Sequence, residues 1–95
     1  MNKIVVIGSS NTDMVVRSET LPRPGESVLG GDFMMAGGGK GANQAIAVAR
    51  MGHKVIFSAA VGRDMFGDSA IAGYQRFGVD TSYIVRKDTP SGIAL

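Results

Sequence analysis

Ninety-five residues leave room for one small domain, and 44% hydrophobic against 19% charged residues is the balance of a globular chain. Ten Lys and Arg oppose eight Asp and Glu; the net charge of +2 with no basic run, and the absence of tryptophan, argue against a nucleic-acid partner. With no cysteine and the single histidine His53, the chain lacks the means for a disulfide framework, a thiol nucleophile or a His/Cys metal centre.

In chain order, Ile4-Val5-Val6-Ile7 is a β-branched run that suits a parallel strand buried on both faces. It is too short for a signal-peptide core or a membrane span, so a cytoplasmic protein with no membrane partner is expected. Asn11 to Val16 alternates, with Asn11, Asp13 and Val15 on one side and Thr12, Met14 and Val16 on the other, and reads as a second strand. Leu21-Pro22-Arg23-Pro24-Gly25 is a turn. Ser27 to Met35 is strand-like again, with an irregularity at Gly30-Gly31.

The glycine cluster Gly37-Gly38-Gly39-Lys40-Gly41 follows and opens into an alanine-rich helix, over about 41–51, that stops at Gly52. Lys54 to Val61 is a buried strand. Asp64 is placed to cap a helix over 65–77, where Phe66, Ala70, Ile71, Tyr74 and Phe77 recur at helical spacing and Gly78 ends the run. Val79 to Val85 reads as a third core strand, Arg86 to Pro90 as a loop, and Ser91 to Leu95 as the start of another strand. Strands alternating with helices imply an α/β fold with a parallel sheet and right-handed crossovers, residues 4–8, 54–61 and 80–85 being neighbours. The stretch from Asn11 to Met35 does not fit that layering and reads as a small sheet standing off the main one. Three core strands and two helices do not cover both faces of such a sheet, which suggests the N-terminal part of a longer protein.

Two constellations carry chemistry. The glycine cluster fails the phosphate-loop pattern, because Met34 stands where its first glycine belongs and Gly41 where a Ser or Thr belongs. Gly37, Gly39 and Ala42 formally match a dinucleotide fingerprint, but the cluster does not follow the first core strand and no acid lies between Gly41 and Asp64. There remains a glycine loop with one cation, Lys40, and with Asn43 in the first turn of the helix, suited to approach a ligand closely. Asn11 and Asp13 project from one face of a strand. A carboxylate beside a carboxamide suits a vicinal diol, and equally suits a polar strand edge or a turn. Asp64, Asp68, Asp80 and Asp88 read as helix-start and loop residues, and His53 as exposed.

Ser9-Ser10-Asn11-Thr12-Asp13, Pro24-Gly25-Glu26 and Gly38-Gly39-Lys40-Gly41-Ala42-Asn43-Gln44-Ala45 stand in the order and spacing of the ribokinase-like phosphofructokinase-B family of sugar kinases. Val61-Gly62-x-Asp64-x-x-Gly67, Gly78-Val79-Asp80-Thr81 and Ser91-Gly92-Ile93-Ala94-Leu95 continue the match, so the resemblance covers the whole chain. It implies a ribokinase-like α/β fold, with residues 1–95 its N-terminal part and segments 11–35 and 91–95 contributing to a β-sheet lid that also forms a homodimer clasp. It further implies that Asn11, Asp13, Gly39, Lys40 and Asn43 hold sugar hydroxyls, and that the enzyme phosphorylates D-ribose at O5 with ATP, Mg²⁺ and potassium. The family's Gly-Ala-Gly-Asp signature, which carries its catalytic base, does not occur here, so the catalytic, ATP and metal-binding residues are expected elsewhere. The alternatives are a sibling kinase for a ketohexose, a nucleoside or a keto-deoxy sugar acid, and a non-catalytic module binding a polyol or nucleotide.

Overall fold

A computed structural model describes residues 2–95. The elements run β1 (Ile4–Ile7), β2 (Asn11–Val16), β3 (Phe33–Gly38), α1 (Lys40–Arg50), β4 (Val55–Gly62), α2 (Met65–Arg76), β5 (Ile84–Lys87) and β6 (Gly92–Ala94). They form two sheets of three strands, ordered β1-β4-β5 and β3-β2-β6.

The first sheet is parallel throughout, with Val6 opposite Phe57 and Ala59 opposite Ile84. Helix α1 leads into β4 and α2 from β4 towards β5; successive right-handed crossovers in one direction put both helices on one face. That face is the core. Val55, Phe57 and Val61 of β4 are buried with Ala42 and Ala45 of α1 and Tyr74 of α2. The Phe57 and Tyr74 rings meet edge to face, their centroids 5.4 Å apart and their planes at 81°. Small residues let α1 come close: a side-chain carbon on buried Gly41 would stand 2.8 Å from the Gly8 Cα at the end of β1.

Several strand expectations shift. β1 is not covered on both sides, because the two helices lie on one face only; Val5 and Ile7 of the other face are 57% and 80% exposed. The third core strand does not run through 80–85. Asp80 forms a single bridge to Ile56, and its carboxylate then accepts the Ser82 N–H at 2.9 Å and the Ser82 hydroxyl at 2.7 Å. This turn interrupts the ladder, which resumes at Ile84 and continues to Lys87, inside the stretch expected to be loop. Similarly, Ser27 to Asp32 is not strand. Pairing closes where Arg17 N–H donates to the Asp32 carbonyl at 2.9 Å and Gly31 N–H to the Arg17 carbonyl at 2.8 Å. β3 starts at Phe33 instead and extends into the glycine cluster.

The helices follow their caps. Asp64 is extended and its carboxylate accepts the Gly67 N–H, opening α2; Gly52 and Gly78, both at φ +87°, lie just past the two helix ends. In the second sheet, β2 pairs antiparallel with β3, Asn11 opposite Gly38 and Val16 opposite Phe33, and parallel with β6, Asn11 opposite Gly92.

Candidate functional site

Strand periodicity and register define two unlike faces of the second sheet. One presents Asn11, Asp13 and Val15 of β2, with Gly38, Ala36 and Met34 beside them on β3 and Gly92 and Ala94 on β6. The other presents Thr12, Met14 and Val16 with Gly37, Met35, Phe33 and Ile93. On the first face, the two polar side chains are flanked at their own level by Gly and Ala alone.

The glycines make room for these side chains. A side-chain carbon on Gly38 would lie 2.6 Å from both carboxylate oxygens of Asp13, and one on Gly92 would lie 2.6 Å from the Asn11 Oδ1. Asp13 therefore leans over the vacancy at Gly38, and Asn11 over that at Gly92. Both residues are half-buried, and neither side chain hydrogen-bonds to another described residue. A carboxylate and a carboxamide with their donors and acceptors open are equipped for a ligand rich in hydroxyls.

The glycine cluster is not a loop. Gly37 and Gly38 are paired in β3; Gly39 alone makes the turn, at φ +99°, and Lys40 already begins α1. Only glycine takes that backbone conformation readily. Gly39 also packs on the start of β2, where a side-chain carbon would stand 2.7 Å from the Ser9 carbonyl oxygen and 3.2 Å from the Asn11 nitrogen. Just past the cluster, the Ala42 N–H is spent on the Ser9 carbonyl at 3.0 Å and the Asn43 N–H on the Gly39 carbonyl at 3.0 Å. Lys40 and Asn43, three residues apart, are exposed on one side of the first turn of α1. The structure thus brings Asn11, Asp13 and Gly39 together at the junction of β2, β3 and α1. Lys40 and Asn43 enter from the helix and form no side-chain hydrogen bond or ion pair with Asn11 or Asp13.

Asp64 does more than cap a helix. Besides the Gly67 N–H at 2.8 Å, it accepts the Ser91 N–H at 2.8 Å and the Ser91 hydroxyl at 2.7 Å. The Ser91 amide, then the Gly67 amide and the Ser91 hydroxyl, hold its carboxyl below the usual carboxylate range. The bound form is the ionised one, so this stabilisation is complete above the unfolded pKa of about 4 and is lost as pH falls through the lower folded value. Asp64→Ala should therefore lower the urea midpoint of the enzyme carrying these residues at pH 7, and the gap to wild type should close below about pH 4. A gap independent of pH would show that Asp64 acts without its charge.

Ser10, Tyr74 and Ser91 also shape this region, and local sequence signals pass over them. Their contacts span 64 and 27 residues. Gly92, a lone glycine inside a strand, is the kind of signal that marks a close approach. Among the described residues, no three His, Cys, Asp or Glu side chains gather as a metal site, and no helix is long and apolar enough to cross a membrane.

A doubly faced small sheet set beside a parallel α/β sheet, with a carboxylate and a carboxamide open on its polar face, has relatives. The model of the pfkB family of carbohydrate kinases matches residues 1–95. The chain is 45% identical over 84 residues to a Bacillus subtilis ribokinase, an alignment covering 88% of this chain and 29% of that protein. It is 38% identical over 92 residues to a Salmonella typhi deoxyribokinase, covering 96% and 30%. An Arabidopsis thaliana ribokinase solved with ribose and ATP superposes with a TM-score of 0.86 at 32% identity, over 95% of this chain and 30% of that one. The chain belongs to the pfkB family of carbohydrate kinases and has the ribokinase α/β fold over these residues. It spans about 30% of the length of these relatives.

Proposed function

We propose that these residues are the sugar-binding part of an ATP-dependent kinase that phosphorylates D-ribose at O5. The observation that carries this is the polar face of the second sheet, where Asn11 and Asp13 stand without protein partners, flanked by Gly38 and Gly92. Asp13 accepts hydrogen bonds from two neighbouring sugar hydroxyls, and Asn11 donates and accepts at the next position. Gly39 lets the chain turn close to the ligand, and Lys40 and Asn43 approach from the head of α1. The sheet acts as a lid over the sugar, with segments 11–35 and 91–95 its parts. The ribose and ATP named for the Arabidopsis relative support this reading.

Phosphoryl transfer depends on positioning and on neutralising charge at the phosphates. The residues described contribute the positioning of the sugar. The Gly-Ala-Gly-Asp signature does not occur in this sequence, and on that ground we assign Mg²⁺, potassium and the catalytic base to other residues of the enzyme. Use of ATP goes with a cytoplasmic enzyme.

The Salmonella relative favours a second reading, with 2-deoxyribose as substrate. Steady-state kinetics of the full-length enzyme with ribose, 2-deoxyribose and fructose separates the two. A kcat/KM highest for ribose supports the first reading, one highest for 2-deoxyribose the second, and no sugar-dependent ATP consumption overturns both.

Away from the end that borders α2, the opposite face of the lid sheet is apolar, with Val16 59% and Phe33 61% exposed. We infer that it is the clasp of a homodimer. Val16→Asp combined with Phe33→Asp should turn a dimer into a monomer by light scattering; an unchanged mass would place the dimer contact elsewhere.

A further inference from the structure

We propose that helix α2 positions Asn11 through two hydrogen-bonded links to its neighbours on either flank, Tyr74 to Ser10 and Asp64 to Ser91, making Tyr74 and Asp64 positioning residues for sugar binding. The inference rests on the sugar-kinase reading above.

Asn11 sits between the two points these bonds hold. Ser10 is its neighbour along the chain; it is buried, and its hydroxyl hydrogen-bonds the Tyr74 phenol across 64 residues. Tyr74 is 2% exposed and its ring is wedged edge-on against Phe57, so the oxygen is presented from a fixed point of the core. Ser91 is the neighbour of Gly92, which pairs with Asn11 across the sheet and leaves the space its carboxamide occupies. Ser91 is held twice by the Asp64 carboxylate, and its hydroxyl also accepts the Gly62 N–H at 2.8 Å.

Both bonds originate in α2, Asp64 at its N-terminal cap and Tyr74 near its far end. Between α2 and the second sheet lies a cleft of about 380 Å³, bordered by Thr12, Ala36, Gly37, Ala70 and Phe77. Packing across that gap is open, so on the α2 side these two links fix the stance of the sheet, while the Ala42 N–H to Ser9 carbonyl bond fixes it on the α1 side. A binding group must be held to within a fraction of an ångström to keep its hydrogen bonds, so releasing either bond lets Asn11 drift from the sugar.

The test uses the full-length enzyme with ribose and ATP. Tyr74→Phe removes one oxygen and retains the contact with Phe57; Ser91→Ala removes one hydroxyl. Each should raise the KM for ribose about tenfold, the worth of roughly one hydrogen bond, and leave that for ATP unchanged. Ser10→Ala added to Tyr74→Phe removes the hydroxyl left unpaired, so thermal stability should recover while the raised KM for ribose persists. Asn11→Ala serves as the reference. If it raises the KM for ribose while Tyr74→Phe and Ser91→Ala do not, the positioning role is overturned and the sugar site stands. If the double variant restores KM together with stability, the Ser10–Tyr74 bond is structural only and that arm is overturned. If Asn11→Ala itself leaves KM unchanged, the sugar-site reading falls, and the inference with it.

Discussion

Asp13→Ala should raise the KM for ribose about a hundredfold and leave that for ATP nearly unchanged, since two hydrogen bonds to a charged acceptor together amount to about 3 kcal/mol. The carboxylate is open on the polar face, half-buried and without a protein partner, so its loss removes contacts to the ligand and breaks none within the fold. An interaction equally strong in ground and transition states appears in KM; one that strengthens in the transition state would lower kcat as well. Removing the 2-hydroxyl from the sugar deletes part of the same contact. The losses from Asp13→Ala and from 2-deoxyribose should therefore not add. Kinetics of wild type and variant with both sugars measures this. Unchanged constants for ribose would make Asp13 a strand-edge residue and end the diol-binding assignment.

Gly38→Ala should raise the same constant by about tenfold or more with little change in unfolding midpoint, because displacing a ligand-binding group by an ångström is costly to function. The added methyl would stand 2.6 Å from both Asp13 oxygens. The group in its way is the end of a side chain, so the carboxylate swings aside and the backbone stays in place. Gly37→Ala is the internal control. That residue lies one position earlier, on the opposite face, and a side-chain carbon there meets nothing within 4 Å. Equal kinetics for the two variants would show that the vacancy at Gly38 is not what sets Asp13.

The sequence by itself determined the elements whose cause is local. Asp64 caps α2 through the amide three residues on, Gly52 and Gly78 end the helices because they take positive φ cheaply, and Asn11 and Asp13 share a face because a strand repeats every two residues. That these core strands are parallel neighbours in one sheet also followed from alternating strands and helices, whereas their order β1-β4-β5 came from the structure. The Asp80–Ser82 turn is a local motif as well, but it competes with an apolar run that reads as one strand, and only the folded chain shows the turn prevailing until Ile84. What depends on residues far apart along the chain was decided by tertiary structure. β3 runs on to Gly38 because β2 offers it partners back to Asn11, which turns an expected glycine loop into the empty place over which Asp13 leans. β6 adds Gly92 beside Asn11 from 81 positions downstream. Ser10 meets Tyr74, and Ser91 meets Asp64, only once the two sheets and α2 have assembled. Propensity and periodicity act within a few residues, whereas the site is built where separate elements converge, and its geometry comes from their packing.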